Sequence, residues 1–113
     1  MRIEIESSSN FSDVDVIVKQ LCRFGWSQVI ENGMTYFALF RDITFHGHSR
    51  DVSNYKWIFK NSSSRIIFES TTIPNNDNLR TDNSIFRVLA GKIVSDLLRN
   101  DCLSCITYII QLD

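Results

Sequence analysis

The stretch "WSQVIENGMTYFALF", Trp26–Phe40, decides the fold class of this 113-residue chain. Asn32 and Gly33 stand between two apolar runs, and both residue types tolerate the positive φ angles of a type I′ turn. We therefore expect Ser27–Ile30 and Thr35–Phe40 to pair as an antiparallel hairpin. An antiparallel sheet can bury one face in a core and leave the other face in water.

The segment before this hairpin predicts a strand and a helix. "RIEIE", Arg2–Glu6, alternates apolar and charged residues, which is typical of a half-buried strand. Ser12 is a good N-cap, and Asp15 three residues later completes a capping-box pattern. The apolar residues that follow recur at helical spacing, and Gly25 provides a C-terminal stop.

The segment after the hairpin predicts more sheet. "RDITFHGHSRDVSN", residues 41–54, is expected to continue as a strand and then as a loop. "YKWIFKNSSSRIIFES", residues 55–70, predicts a second hairpin in which Tyr55, Trp57 and Phe59 share one face. Aromatic residues on an open sheet can stack RNA bases, but a core role for most of them is favoured here.

The remainder completes an α+β architecture. Residues 71–84 have the composition of a loop, and residues 82–101 predict a second helix in which Gly91 is expected to mark a close crossing over the sheet. "CITYIIQLD", residues 105–113, predicts a central strand because it is rich in β-branched residues and poor in charge. We expect one domain, 1–113: a two-layer sandwich of a mostly antiparallel sheet of about five or six strands with two helices on one face.

Composition narrows the classes of function. The chain is 43% hydrophobic and 22% charged, with a formal net charge of −1. This charge argues against a general affinity for nucleic acid or for an anionic membrane. The N-terminus has no signal-peptide pattern, and no apolar run reaches the roughly 18–20 residues of a membrane span. Three cysteines fit reduced thiols, so a cytoplasmic location is expected.

Both histidines lie in "FHGHSRD", Phe45–Asp51. On an extended strand His46 and His48 would point to the same face, where Asp42 or a cysteine could complete a metal site. Either imidazole could also act as a base held by Asp42 or Asp51. A polar strand end without a metal is the favoured interpretation, because two ligands without a clear third are a weak motif.

A C-x-x-C element, Cys102–Cys105, follows the second helix and precedes a strand. Redox motifs of this type precede a helix, whose N-terminus lowers the thiol pKa, so the context here is reversed. A structural role is the expectation. No phosphate-binding glycine loop or nucleophile elbow is present in the sequence, and we expect neither a cofactor nor catalysis.

The length, the compact α+β layout and the acidic or polar loop positions resemble the small immunity proteins of bacterial toxin–immunity systems, such as those of contact-dependent growth inhibition. The acidic loop positions that contribute to this resemblance are Glu31, Asp42, Asp51, Asp77 and Asp82. The resemblance implies that the protein binds the toxin domain of a cognate effector, often a nuclease, and blocks its active site. Carboxylates would then mimic substrate phosphates, and aromatic residues would anchor the contact.

We expect the partner-binding residues in 42–55 and in the 71–82 loop. They are Asp42, His46, His48, Arg50, Asp51, Tyr55, Asp77 and Asp82. Two alternatives remain open at this point. One is a small metal-dependent or acid–base hydrolase that uses His46 and His48. The other is a homodimeric structural or regulatory protein joined through an exposed strand edge or an aromatic face.

Overall fold

The structure is a computed structural model that describes residues 1–6, 14–62, 65–73, 78–99 and 107–111. Two helices and eight strands occur in this part of the chain. Their bounds are β1 Arg2–Glu6, α1 Val14–Arg23, β2 Trp26–Glu31, β3 Met34–Leu39, β4 Asp42–Phe45, β5 His48–Asp51, β6 Trp57–Asn61, β7 Arg65–Ser70, α2 Leu79–Leu98 and β8 Thr107–Gln111.

Six of the strands form one sheet in the order β2-β3-β6-β7-β1-β8, and β4 and β5 form a separate two-stranded sheet. Every pairing is antiparallel. The predicted hairpins β2–β3 and β6–β7 are confirmed. Asn32 and Gly33 take φ angles of 52° and 75°, as the turn prediction requires. The α+β class, with a mostly antiparallel sheet and two helices, is confirmed.

One face of the sheet carries the core. The strand register places alternate residues on this face, and they are buried together with the apolar sides of both helices. Burial of these apolar side chains is the main stabilising contribution to the fold. The largest fully buried side chains are Trp26, Trp57, Phe37, Phe68, Ile3, Ile5, Ile17, Leu21, Leu39, Ile66, Ile85 and Leu89.

The opposite face of the sheet carries a ladder of ion pairs between side chains on neighbouring strands. Arg65 contacts Glu6 at 2.6 Å, and Lys60 contacts Glu69 at 3.3 Å. Such partly exposed pairs each contribute little to stability, about 0–1 kcal/mol. The ladder therefore keeps this face compatible with water rather than holding the fold together.

A buried carboxylate joins both helices to the sheet. Asp96 on α2 is 2% exposed, and its Oδ2 accepts hydrogen bonds from Trp26 Nε1 at 2.9 Å and from Lys92 Nζ at 2.8 Å. The Gln20 amide of α1 donates to the Asp96 backbone carbonyl at 2.8 Å. Since a buried polar group is costly unless it is hydrogen-bonded, these contacts fix α1, α2 and β2 in one arrangement.

The second helix begins earlier than the sequence predicted. It starts at Leu79 because the side chain of Asn78 accepts a hydrogen bond from the Thr81 backbone N–H at 3.1 Å and caps the helix. The prediction of a loop through residue 84 was therefore wrong from Leu79 onward. As a result Asp82 lies in the first helical turn.

Two further predictions were wrong. The last strand, β8, lies at the edge of the sheet, because its only neighbour in the described residues is β1, whose other side is already paired with β7. Gly91 is exposed, and a Cβ at this position would meet nothing within 4 Å in the described part of the chain. Within the described residues, no close approach of the helix to the sheet explains the glycine at this position.

The first helix ends as predicted, with Gly25 at a φ of 94°. The predicted cap residue Ser12 lies outside the described residues. In the residues that are described, neither helix combines the length and the apolar character that crossing a membrane requires.

Candidate functional site

The β4–β5 hairpin, residues 42–51, stands outside the six-stranded sheet and carries five of the eight predicted site residues. Its turn is formed by His46 and Gly47, which take φ angles of 51° and 77°. Positive φ angles at both positions are the requirement of a type I′ turn, and histidine tolerates this region better than most residues do. The predicted strand is confirmed as β4, but the loop predicted after it was wrong, because His48–Asp51 form the second strand of a hairpin.

The outward face of the hairpin is polar. The register pairs Asp42 with Asp51 and Thr44 with Ser49, and all four side chains are exposed. Since directly opposed residues share a face, two carboxylates stand side by side with two hydroxyls beyond them. We call these four residues the acidic hairpin face.

Local hydrogen bonds hold both carboxylates of the acidic hairpin face. Ser49 Oγ donates to Asp42 Oδ2 at 2.8 Å, and the Ser53 backbone N–H donates to Asp51 Oδ1 at 2.9 Å. Hydrogen bonds from the backbone and the side chain of Ser53 lower the pKa of Asp51. No lysine or arginine in the described ranges pairs with either aspartate.

The inward face of the hairpin packs against the core. Ile43 and Phe45 are partly buried against the core cluster, and Arg50 shares this face and is half-buried. This apolar anchoring holds the hairpin against the rest of the molecule, so the acidic hairpin face points to solvent. The hairpin is therefore held in place by its contacts with the core, and its polar side chains extend into solvent.

Three of the predicted binding residues interact with one another: the buried Tyr55 and Asp82 and the half-buried Arg50. Tyr55 and Asp82 are only 4% and 6% exposed, and Tyr55 Oη donates to Asp82 Oδ1 at 2.8 Å. Burial raises the pKa of Tyr55, the hydrogen bond and charge of Asp82 raise it further, and Arg50 opposes this shift. Tyr55 and Asp82 are therefore not available to contact a partner, because both are buried in the protein.

The two histidines do not form the arrangement that a shared strand would give. His46 occupies the turn and His48 begins β5, so they are not alternate residues of one strand. The ring of His46 lies against Phe45, with centroids 4.2 Å apart. Neither imidazole is hydrogen-bonded to a carboxylate, and no three His, Cys, Asp or Glu side chains are grouped to hold a metal, in the ranges the structure describes.

Other predicted positions have separate outcomes. Asp77, Cys102 and Cys105 lie outside the described residues. Glu31 is exposed and pairs with Lys56 at 3.1 Å. Trp57 is part of the core, as favoured.

Sequence reasoning missed Thr44 and Ser49 as members of the polar face. The signal was present in the chain: "DITF" and "HSRD" both alternate, and His46-Gly47 between them fits a two-residue turn. An exposed aromatic residue, Phe40, lies two residues before the hairpin and was also not assigned to it.

Comparison with known proteins gives no match: no protein-family model matches the chain, and neither a curated protein nor a solved structure is similar to it.

Proposed function

We propose that this protein is a non-catalytic immunity protein, which binds the toxin domain of a cognate bacterial effector and occludes its active site. The observation that carries the proposal is the acidic hairpin face, in which Asp42 and Asp51 oppose each other without a cationic partner in the described residues.

Electrostatics supports a basic partner. Like charges directly opposed across two strands destabilise a hairpin, so Asp42 and Asp51 work against the stability of the isolated protein. A cationic surface docked on them would relieve this repulsion and would speed association. The hydrogen bonds from Ser53 lower the pKa of Asp51, so they stabilise the charged form of this carboxylate.

The chemistry of a nuclease fits this requirement. A protein that binds nucleic acid uses lysine and arginine to neutralise phosphates, so its substrate cleft is basic. Carboxylates on a projecting hairpin can occupy such a cleft in place of phosphates. The exposed ring of Phe40, two residues before β4, can supply the apolar anchor that the buried Tyr55 cannot.

The proposal places the protein in the cytoplasm of a bacterial cell, where a delivered nuclease would act. The alternative of a hydrolase would need His46, His48 and a carboxylate to converge. Their positions in the turn and at the start of β5 do not support that arrangement.

The test is protection against a defined toxin domain, namely the C-terminal domain of an effector whose gene is found by sequencing the DNA beside the gene of this protein. We expect cells that express this domain to resume growth when the protein is co-expressed, and the purified protein to inhibit the domain's nuclease activity. The variant Asp42→Lys/Asp51→Lys should bind at least about tenfold more weakly, because it opposes like charges.

The matched control is Glu6→Lys/Asp15→Lys, which also reverses two charges, at exposed positions on β1 and α1 outside the hairpin. It should protect as well as the wild-type protein. The proposal fails if the wild-type protein gives no protection. The assignment of the acidic hairpin face fails if the double variant protects fully.

A further inference from the structure

The turn that ends α1 gathers three arginine side chains, all of them exposed. Arg23 occupies the last turn of the helix, and the Arg99 guanidinium lies over the ring of Phe24, with its carbon 5.0 Å from the ring centroid. Arg41 crosses Gly25 so closely that a Cβ on this glycine would stand 3.5 Å from the Arg41 Cδ. We call Arg23, Arg41 and Arg99 the arginine cluster.

The charges of the arginine cluster are not balanced inside the described part of the protein. No carboxylate in these ranges forms an ion pair with any of the three arginines. Other cationic side chains differ, because each of them is paired with an aspartate or a glutamate. These paired cations are Arg2, Lys56, Lys60, Arg65 and Lys92.

The helix ends account for only part of this positive charge. The C-terminal end of a helix carries a partial charge of about −0.5, which favours a nearby cation. Arg23 lies in the last turn of α1 and Arg99 is the C-cap of α2, so two helix ends contribute about −1 against three guanidiniums. A surplus of about two positive charges therefore remains on the surface and is available to an anion.

Contacts with the fold hold two of these side chains before any ligand binds. The Phe24 ring attracts Arg99 through a cation–π contact, and the backbone of Gly25 supports the stem of Arg41. Side chains that are already ordered lose less conformational entropy on binding. A guanidinium also presents parallel N–H groups that match the two oxygens of a carboxylate. The arginine cluster therefore has the properties of a binding site for carboxylates.

The neighbouring residues favour a protein over a nucleic acid as the ligand. Asp42 of the acidic hairpin face directly follows Arg41, and both residues are exposed. A nucleic acid carries a phosphate at every nucleotide, so a strand that lies on Arg41 also brings negative charge to Asp42. A peptide can place carboxylates against the arginines and a neutral or basic residue against Asp42. The exposed ring of Phe40, directly before Arg41, adds an apolar contact of the kind that anchors protein interfaces.

We propose that the arginine cluster binds an acidic segment of a protein partner, whose carboxylates pair with Arg23, Arg41 and Arg99. Surfaces of opposite charge then lie side by side on this protein, and this arrangement fixes the orientation of the bound segment. The proposal is separate from the immunity function, because it concerns a different surface and its test needs no toxin domain.

Titration of the isotope-labelled full chain with a peptide, followed by NMR at about 0.1 M salt, tests the proposal. The peptide carries a block of about three glutamates beside a block of about three lysines. We expect a dissociation constant on the order of 1 mM, with the amide shifts concentrated at residues 23–25, 41 and 99. Arg41→Gln/Arg99→Gln should weaken binding at least about fivefold, and Arg23→Gln alone should weaken it about twofold.

The matched control is Arg80→Gln/Arg87→Gln, which removes the same charge from two exposed arginines on α2. Arg87 lies twelve residues before Arg99 in the sequence. This spacing corresponds to about 18 Å along the helix axis, which exceeds the screening length of about 10 Å at this salt concentration. The control should therefore change the dissociation constant less than about twofold. Amide spectra that match the wild type away from the substitutions show that the variants fold.

The same titration defines the results that overturn the proposal. A wild-type chain that does not bind the peptide at about 10 mM overturns it, and so does an equal loss in the cluster variant and the control variant. A single-stranded oligonucleotide of equal length should bind at least about fivefold more weakly than the peptide. An oligonucleotide that binds as tightly as the peptide assigns the cluster to nucleic acid and also overturns the proposal.

Discussion

The buried carboxylate of Asp96 provides the sharpest test of how this fold is held together. In Asp96→Ala, the Trp26 indole N–H would remain in a site that is 2% exposed and would lose its acceptor. A buried donor left without a partner costs about 1–3 kcal/mol, and the lost bond to an ionised acceptor is at the strong end of the range. Lys92 is 20% exposed, so its ammonium can turn to water at little cost.

We therefore expect Asp96→Ala to lower the free energy of unfolding by about 3 kcal/mol. Asp96→Asn keeps an oxygen for Trp26 and removes only the charge that Lys92 meets, so a loss of about 1 kcal/mol is expected. Urea unfolding followed by tryptophan fluorescence at pH 7 measures both values from the midpoint and the slope.

The matched control is Ser95→Ala, an exposed position next to Asp96 on the same helix, with an expected change within about 0.5 kcal/mol. A loss below about 1 kcal/mol for Asp96→Ala would refute the reasoning, because the site would then have hydrated or collapsed around the unpaired indole. Equal losses for Asp96→Ala and Asp96→Asn would show that the charge, and not the acceptor, is what matters.

Three other changes have defined outcomes. Tyr55→Phe should lower stability by about 1–2 kcal/mol in urea unfolding, because Asp82 loses a buried hydrogen bond. The pKa of Tyr55 is raised above 10.0, so its contribution is present below that pH and is lost as pH rises through the folded-state pKa. Unfolding at pH 8 and pH 11 should show this loss in the wild-type protein and less of it in Tyr55→Phe. His46→Asn should be neutral or stabilising in thermal unfolding, whereas His46→Val should lower the melting temperature, because a β-branched residue is strained at a φ of 51°. Gly91→Ala should raise the stability of the monomer by about 1 kcal/mol, since the added methyl group meets nothing in the described residues; a loss of stability would show an unseen contact there.

Local patterns in the sequence were sufficient for much of the sheet. Asn32-Gly33 specifies its hairpin because the required φ angles are available to those two residues. The alternation in Arg2–Glu6 likewise predicts one buried and one exposed face, and Ile3 and Ile5 are fully buried. In each case the information lies within a few neighbouring residues.

Lateral order in the sheet could not be predicted in this way. The apolar, β-branched sequence of β8 identifies a strand but does not distinguish a central position from an unprotected edge. Its neighbour β1 comes from the other end of the chain, and the pairing depends on the packing of the whole sheet. The strand type was right, and the position was wrong.

The candidate site was predictable only in part, for a related reason. Asp42 and Asp51 are exposed and close together, but Tyr55 and Asp82 are buried against each other. The early start of α2 at Leu79 turned a presumed loop aspartate into a helical residue that faces the interior. Burial of a polar residue depends on such tertiary contacts and is not visible in composition.

The position of β1 between β7 and β8 has a consequence for synthesis on the ribosome. The chain emerges in order, so Ile3 and Ile5 leave the exit tunnel long before residues 65–70 and 107–111, with which their strand pairs. Such distant pairings fold slowly, typically in milliseconds to seconds. The nascent chain therefore carries an unpaired apolar strand through most of its translation, and a chaperone that holds this segment should increase the yield of folded protein.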